Sequence, residues 1–300
     1  MQTTKAVEQK VWALALQKVQ DYKMLVKFRL TLTVVFSSVM AFLIALSGPV
    51  NWLAIGILAS GGFLVTGAAN ALNQVLEKDF DKLMKRTAGR PLAAGRMSIS
   101  EAVIAAGFMS LFGITLLALF NPWAAFFGTL ALVIYAFLYT PVKRLSPSAV
   151  AIGAVPGALP TLIGCVAAQG EITFLGLSLF ALQFLWQFPH FWSIGWLGFE
   201  DYANAGYKLM PTNRQGERDR RIGLQAFLYA IFLVPVSLIP YMLEVSGWAS
   251  AIVVVAMGLG YALFAWNFYR AGTRKSALQL MFFSFAYIPV SLVVLLADKI

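Results

Sequence analysis

Nine apolar runs without charged side chains decide what this chain can fold into. A helix that crosses a bilayer needs about 20 predominantly apolar residues. Runs of about this length lie at 30–47, 52–72, 102–120, 122–139, 149–168, 174–196, 222–243, 248–266 and 277–297. The chain is 60% hydrophobic and 12% charged, whereas soluble domains are about 25% charged. The sequence therefore predicts an all-α polytopic membrane protein with nine transmembrane helices in one bundle, and it excludes a soluble enzyme.

The basic residues lie almost entirely on one side of these predicted spans. Of the 23 Lys and Arg residues, 22 lie on one side: six in segment 1–29, six in 73–101, two in 140–148, five in 197–221 and three in 267–276. Only Lys299 lies on the other side. Cytoplasmic loops carry such an excess of positive charge, so the N-terminus is predicted to be cytoplasmic. The net charge of +10 follows from this bias and does not indicate a nucleic-acid partner.

The first 29 residues are predicted to form a cytoplasmic or interfacial segment that precedes a single transmembrane domain, residues 30–300. Trp12, Leu16 and Val19 recur at helical spacing among lysines, a pattern typical of a helix that lies on the bilayer surface. The segment lacks the features of a cleavable signal or a transit peptide. This favours a multi-pass protein of a bacterial inner membrane.

The most informative polar cluster follows the second apolar run. Asn73, Glu77 and Asp81 are four residues apart, so on a helix their side chains face broadly the same way. Carboxylate and amide oxygens suit Mg²⁺, which binds a few such groups together with substrate phosphates, and Arg86 and Arg90 follow with guanidinium groups that suit phosphate oxygens. The spacing fits a Mg²⁺–diphosphate site, and it fits ordinary surface salt bridges equally well.

Two further stretches lie on the same predicted side. Tyr139 and Lys143 are four residues apart, where a lysine can hold a phosphate, although an interfacial anchor explains the pair as well. His190, the single histidine, lies in the aromatic stretch 186–192 beside Pro189, where a helix break or kink is expected. The acidic pair Glu200-Asp201 follows.

Together these stretches resemble the UbiA-type intramembrane prenyltransferases, and most closely the branch that acts on haem. Asn73, Glu77 and Asp81 match the N-xxx-D-xxx-D pattern of the family, with Glu at its first acidic position, and Tyr139 with Lys143 match its Y-xxx-K element. The sequence WQFPHFW at 186–192 is the most specific match. The Glu200-Asp201 pair departs from the family, which has two spaced aspartates in its second acidic motif.

The resemblance implies a bundle around a central cavity and a reaction at its cytoplasmic mouth. The expected reaction transfers the farnesyl group of farnesyl diphosphate to a vinyl group of haem b, with addition of water, giving haem O and diphosphate. The resemblance implies that Asn73, Glu77 and Asp81 bind Mg²⁺ and that Glu200 and Asp201 bind a second ion. Catalysis is expected from Asn73, Glu77 and Asp81 together with Tyr139 and Lys143, and diphosphate binding from Arg86, Arg90 and Lys143. Haem binding is expected from Trp186, His190 and Trp192. Whether His190 ligates iron or bonds a propionate or water stays open.

Other functions remain open from the residues alone. A prenyltransferase acting on an aromatic quinone precursor would share the whole Mg²⁺ site and differ only in the acceptor pocket. A haem carrier or oxidase assembly factor would need the aromatic stretch but not the acidic one. A proton-coupled transporter is disfavoured because the predicted spans carry no charged residue at mid-depth. A haem A synthase or a terminal oxidase is an expected partner from the resemblance alone.

Overall fold

The computed structural model describes the backbone of residues 2–300 and the side chains of residues 11–300, and it is built from helices. In chain order these are α1 (Gln2–Leu25), α2 (Phe28–Ala45), α3 (Trp52–Asp81), α4 (Ile99–Ala118), α5 (Pro122–Val133), a π-helical segment (Ile134–Tyr139), α6 (Thr140–Val142), α7 (Ala149–Gln169), α8 (Phe174–Leu197), α9 (Phe199–Asn204), α10 (Arg221–Ser237), α11 (Ile239–Met242), α12 (Trp248–Ala271) and α13 (Arg274–Ala297). Among these described residues there are two isolated β-bridges and no extended strand.

The predicted all-α membrane architecture is confirmed, and each predicted span falls on a long helix or a continuous run of helices. Eight of these helices are long and apolar enough to cross a membrane. The remaining predicted span falls on α8, which has 24 residues, is not among the eight, and carries Gln183, Gln187 and His190; nine crossings therefore stay a prediction. Each of these three polar side chains has a hydrogen-bond partner on a neighbouring helix, which is how polar groups are accommodated in lipid.

Helix α7 occupies the centre of the bundle, since 78% of its most apolar stretch is buried. Small residues permit this: a Cβ atom on Gly164 would overlap with the backbone of α2 at Ser38. Pro156 and Pro160 lie inside α7 without interrupting it. The break expected at Pro189 is also absent, because α8 continues through it; packing on three sides by α7, α10 and α13 holds the helix together where one backbone bond is lost.

A sharp turn at Lys27 separates the N-terminal helix α1 from α2. Residues 11–20 of α1 are all exposed, whereas Asp21 is buried and pairs with Arg96 at 2.8 Å. Lys27, between α1 and α2, has a φ of 48°, a left-handed conformation that is uncommon outside glycine. This turn directs the Lys27 side chain toward the end of α3.

Candidate active site

Asn73, Glu77 and Asp81 lie together on the buried face of the last three turns of α3. Their residues are 1%, 5% and 1% exposed, so the four-residue spacing does bring these three groups together. A solvated helix end with ordinary salt bridges, the alternative that the sequence left open, would leave them accessible. Asp79, on the opposite face, is such a group: its side chain is 81% exposed and pairs with Lys82 at 2.8 Å.

A different cationic side chain contacts each of these three groups. Lys27 donates from Nζ to Asn73 Oδ1 at 2.9 Å, and Lys143 forms an ion pair with Glu77. Arg90 donates to both carboxylate oxygens of Asp81, at 2.8 and 2.7 Å, and lies 4.0 Å from Glu77. Burial of the Lys27 ammonium group, with the charge of Arg90, lowers the pKa of Lys27 to about 7.

Aromatic rings surround the Lys143 ammonium group. Its Nζ lies 4.6 Å from the ring centre of Tyr139 and 5.6 Å from that of Tyr207, distances at which a cation is attracted to an aromatic face. Tyr139 fits against α7 because Gly153 has no side chain; a Cβ there would lie 2.6 Å from the Tyr139 ring. Burial raises the pKa of Tyr207 well above its usual range, so this phenol stays neutral.

The π-helical segment brings Tyr135 and Thr140 to the same cluster. Its backbone bond runs from the Thr140 N–H to the Tyr135 carbonyl, five residues back, a distortion that often occurs at functional sites. The Tyr135 hydroxyl accepts from Lys27 at 3.2 Å, and the Asn73 amide donates to the Thr140 hydroxyl at 3.0 Å. Both ends of the Asn73 amide are therefore fixed.

The second acidic stretch lies on α9, apart from the first. The Glu200 side chain is 83% exposed and pairs with Arg218 at 3.2 Å. Arg86 donates to the Tyr202 hydroxyl at 3.1 Å, which links the connection after α3 to α9. Within residues 11–300 no group of three or more His, Cys, Asp or Glu side chains is placed to hold a metal ion, so a second ion held by Glu200 and Asp201 stays a prediction.

The chemistry of the first cluster suits a hard divalent cation. Two carboxylates and an amide oxygen converge from one helix face, which is the donor set that Mg²⁺ takes when substrate phosphates complete its coordination. In this structure the cationic side chains of Lys27, Lys143 and Arg90 contact these oxygens, where a divalent cation would otherwise supply positive charge. The residues therefore fit Mg²⁺, and Asn73, Glu77 and Asp81 are the ones that would hold it.

The structure brings two of the three predicted haem-binding residues together. The rings of Trp186 and His190 stack at 4.7 Å with 17° between their planes. Trp192 lies on another side of α8, where it packs against Phe188 and Tyr229 of α10. Trp192 does not contact His190, and its role toward haem stays a prediction.

Sequence reasoning did not select Lys27, Tyr135 or Thr140 as site residues. A usable signal for Tyr135 was its position four residues before Tyr139. The π-helical segment alters the direction of both side chains, however, and the period of an α-helix does not predict this change. Lys27 was not selected because its approach to Asn73 depends on a left-handed backbone conformation at a non-glycine residue.

Comparison with known proteins identifies relatives over nearly the whole chain. The model of the UbiA prenyltransferase family matches residues 34–286. A protoheme IX farnesyltransferase of Cytophaga hutchinsonii is 42% identical over 94% of this chain and 98% of its own length. One of Flavobacterium johnsoniae is also 42% identical, over 93% of this chain and 94% of its own.

Solved structures with the same fold are more distant in sequence. A digeranylgeranylglyceryl phosphate synthase superposes with a TM-score of 0.78 at 16% identity, over 94% of this chain and 98% of its own. A UbiA homologue of Archaeoglobus fulgidus bound to GPP and Mg²⁺ has a TM-score of 0.66 at 14% identity, over 92% and 99%. The family match, these relatives and the shared helical fold establish that the chain belongs to the UbiA prenyltransferase family.

Proposed function

We propose that this chain transfers the farnesyl group of farnesyl diphosphate to a vinyl group of haem b and adds water, giving haem O and diphosphate. The observation that carries the prenyl-transfer chemistry is the buried set of two carboxylates and an amide oxygen, held by three cationic side chains at the end of α3. The choice of haem as acceptor rests on the protoheme IX farnesyltransferases to which the chain is similar.

The diphosphate would lie over the last turn of α3. Lys143 and Arg90, which neutralise Glu77 and Asp81 in this structure, have the charge and the donors to bind its oxygens instead. Arg86, exposed on the following connection, would approach from the open side. Mg²⁺ bound by Asn73, Glu77 and Asp81 would supply charge that stabilises the leaving group.

The reaction needs no activated nucleophile from the protein. The bond between the farnesyl C1 and the diphosphate oxygen breaks, the diphosphate leaves with the electron pair, and the allylic cation forms. The haem vinyl group attacks C1 through its terminal carbon, water adds to the remaining carbocation, and one proton is lost. Tyr135 and Tyr139, whose rings are 5.3 Å apart beside Lys143, present aromatic faces that would stabilise the allylic cation.

The wider setting is part of the proposal. The excess of Lys and Arg on the connections that carry these residues supports a cytoplasmic active site in a bacterial inner membrane. Glu200 and Asp201 would bind a second ion only if α9 turned Glu200 away from Arg218. A haem A synthase or a terminal oxidase is the expected consumer of the product.

The test is an assay of purified protein in lipid nanodiscs with farnesyl diphosphate, haem b and Mg²⁺, each omitted in turn. We expect diphosphate release that needs all three and a product mass equal to haem b plus a farnesyl group and water. Asp81→Asn should abolish turnover, whereas Asp79→Asn, an exposed carboxylate two residues away, should leave it unchanged.

Two outcomes would reject the proposal in different ways. Turnover with a phenolic acceptor in place of haem b would keep the diphosphate site and replace the acceptor with a quinone precursor. Haem binding without diphosphate release, under conditions where the Asp79→Asn and wild-type proteins are both folded, would favour a haem carrier.

A further inference from the structure

His190 is held in one orientation by its neighbours. Its ring stacks on Trp186, and the Phe285 ring of α13 meets it edge-on at 5.3 Å with 65° between the planes. The Trp186 ring is itself fixed, because its Nε1 donates to the Ser284 carbonyl at 2.9 Å. The stacking fixes the plane of the imidazole, and the contact of Nδ1 with the Ser284 hydroxyl fixes which edge of the ring faces α13, since a half-turn about the Cβ–Cγ bond would put Cδ2 there instead.

The first of these nitrogens, Nδ1, lies 2.7 Å from the Ser284 hydroxyl. The direction of this hydrogen bond follows from the other partner of the same hydroxyl. Ser284 Oγ lies 2.5 Å from the Met281 carbonyl oxygen, and a carbonyl has no proton to donate. Two oxygens this close need a proton between them, so the single hydroxyl proton of Ser284 points to Met281.

Ser284 can therefore only accept from His190. The Nδ1 atom carries the proton, and in a neutral imidazole the Nε2 atom then carries a lone pair. Among the described residues, no group forms a hydrogen bond with Nε2. Nε2 is not completely buried either, since it is absent from the fully buried polar atoms that lack a partner. The neutral imidazole thus carries a lone pair on Nε2 beside the rings of Trp186 and Phe285, in a residue that is 9% exposed.

We propose that Ser284 is a positioning residue that fixes His190 as the Nδ1–H tautomer, so that Nε2 is presented as the ligand of the haem b iron. The identity of the ligand rests on the proposed function; the tautomer does not. Histidines that bind metals usually donate their other N–H to an oxygen, which orients the ring and raises its basicity.

The tautomer can be measured directly, because His190 is the only histidine in the chain. The full-length protein, purified without a histidine tag and labelled with ¹⁵N-histidine, should give one pair of ring nitrogen resonances, with the proton on Nδ1. Ser284→Ala should move the proton partly or wholly to Nε2, and Ser284→Thr, which keeps the hydroxyl, should restore Nδ1–H. A proton on Nε2 in the wild-type protein would overturn the inference.

Ser237→Ala is the matched control. Ser237 is buried on α10 and donates to the carbonyl three residues before it, as Ser284 does, but it contacts no histidine. Its substitution should leave the ¹⁵N resonances of His190 unchanged. A change as large as that in Ser284→Ala would show that loss of any buried serine perturbs the ring, and would remove the specific role of Ser284.

Haem binding tests the second half of the inference. Titration with ferric haem b should give a Soret band typical of histidine ligation, which His190→Ala abolishes. Ser284→Ala should weaken binding about 10-fold, within the range for loss of such an outer partner, and lower the Fe–His stretching frequency of the ferrous complex, with recovery in Ser284→Thr. Unchanged spectra in His190→Ala would overturn ligation, even in a protein that makes haem O. Failure of the wild-type protein to make haem O would reject the proposed function and leave the tautomer result standing.

Discussion

Replacement of Lys143 by Met should separate two roles of one buried charge. Lys143 and Glu77 are 8% and 5% exposed and pair with each other. Removal of one partner from a buried pair costs about 3–5 kcal/mol, because the remaining charge stays buried. Arg90 is 4.0 Å from Glu77 and would compensate in part, although it also holds Asp81. We therefore expect a loss of about 3 kcal/mol in the free energy of unfolding without substrate.

A larger effect is expected on turnover. If Lys143 moves to the diphosphate during reaction, Lys143→Met removes one donor from the developing leaving-group charge. Loss of one such donor typically reduces kcat about 10²–10³-fold. The double variant Lys143→Met/Glu77→Gln removes the unpaired charge together with its partner. It should recover most of the lost stability and none of the activity.

The measurements are unfolding by SDS in mixed micelles and single-turnover release of diphosphate. Lys82→Met is the control, because Lys82 forms an exposed pair with Asp79, and exposed pairs contribute little. Equal destabilisation by Lys143→Met and Lys82→Met would refute the buried-pair reasoning. Turnover by Lys143→Met as fast as that of Lys82→Met would refute a direct role of Lys143 in leaving-group stabilisation.

Two further predictions concern packing and pH. Gly157→Ala should lower the free energy of unfolding by about 1–3 kcal/mol, because the added Cβ would overlap with the Gln187 amide and displace its buried hydrogen bond to α7. Gly107→Ala is the control, since a Cβ at Gly107 would meet no atom within 4 Å, and it should not lower stability in the same SDS titration. Burial lowers the pKa of Lys27 to about 7 from 10.5, so between these values the unfolded chain binds a proton that the folded one does not, and stability should rise with pH across this window. Lys27→Met should abolish that rise, and an identical slope in both proteins would contradict it.

The fold could be predicted from the sequence because its strongest determinant is local. A charge-free run of bilayer length satisfies its backbone hydrogen bonds in lipid by forming a helix. The orientation of the helices follows from the distribution of basic residues, which can be read without knowledge of tertiary contacts. The acidic face of α3 followed from the same periodicity, since Asn73, Glu77 and Asp81 needed only a continuous helix to converge. Family resemblance then supplied the choice among functions that these residues left open.

What the sequence did not predict depends on contacts between distant segments. Ser284 lies 94 residues from His190, and only the packing of α13 against α8 makes it a partner. Trp192 belongs to the same aromatic stretch as Trp186, but the 3.6-residue turn of a helix points the two rings at different neighbours. Pro189 was expected to break or kink α8, and the helix is not broken there because the surrounding helices outweigh the missing backbone bond.

The π-helical segment has an evolutionary consequence. A π turn contains one residue more than the α-helical turn that it replaces, so Ile134–Tyr139 marks a place where a single-residue insertion is accommodated in an otherwise regular helix. Deletion of one residue there would restore a regular α-helical turn, and the helix on either side would keep nearly its present orientation because the wider turn already absorbs the extra residue. The effect would fall on the segment itself, where the extra residue sets how Tyr135 and Tyr139 face Lys27 and Lys143. The bundle can therefore gain or lose this residue without rearrangement, whereas the aromatic lining of the site cannot.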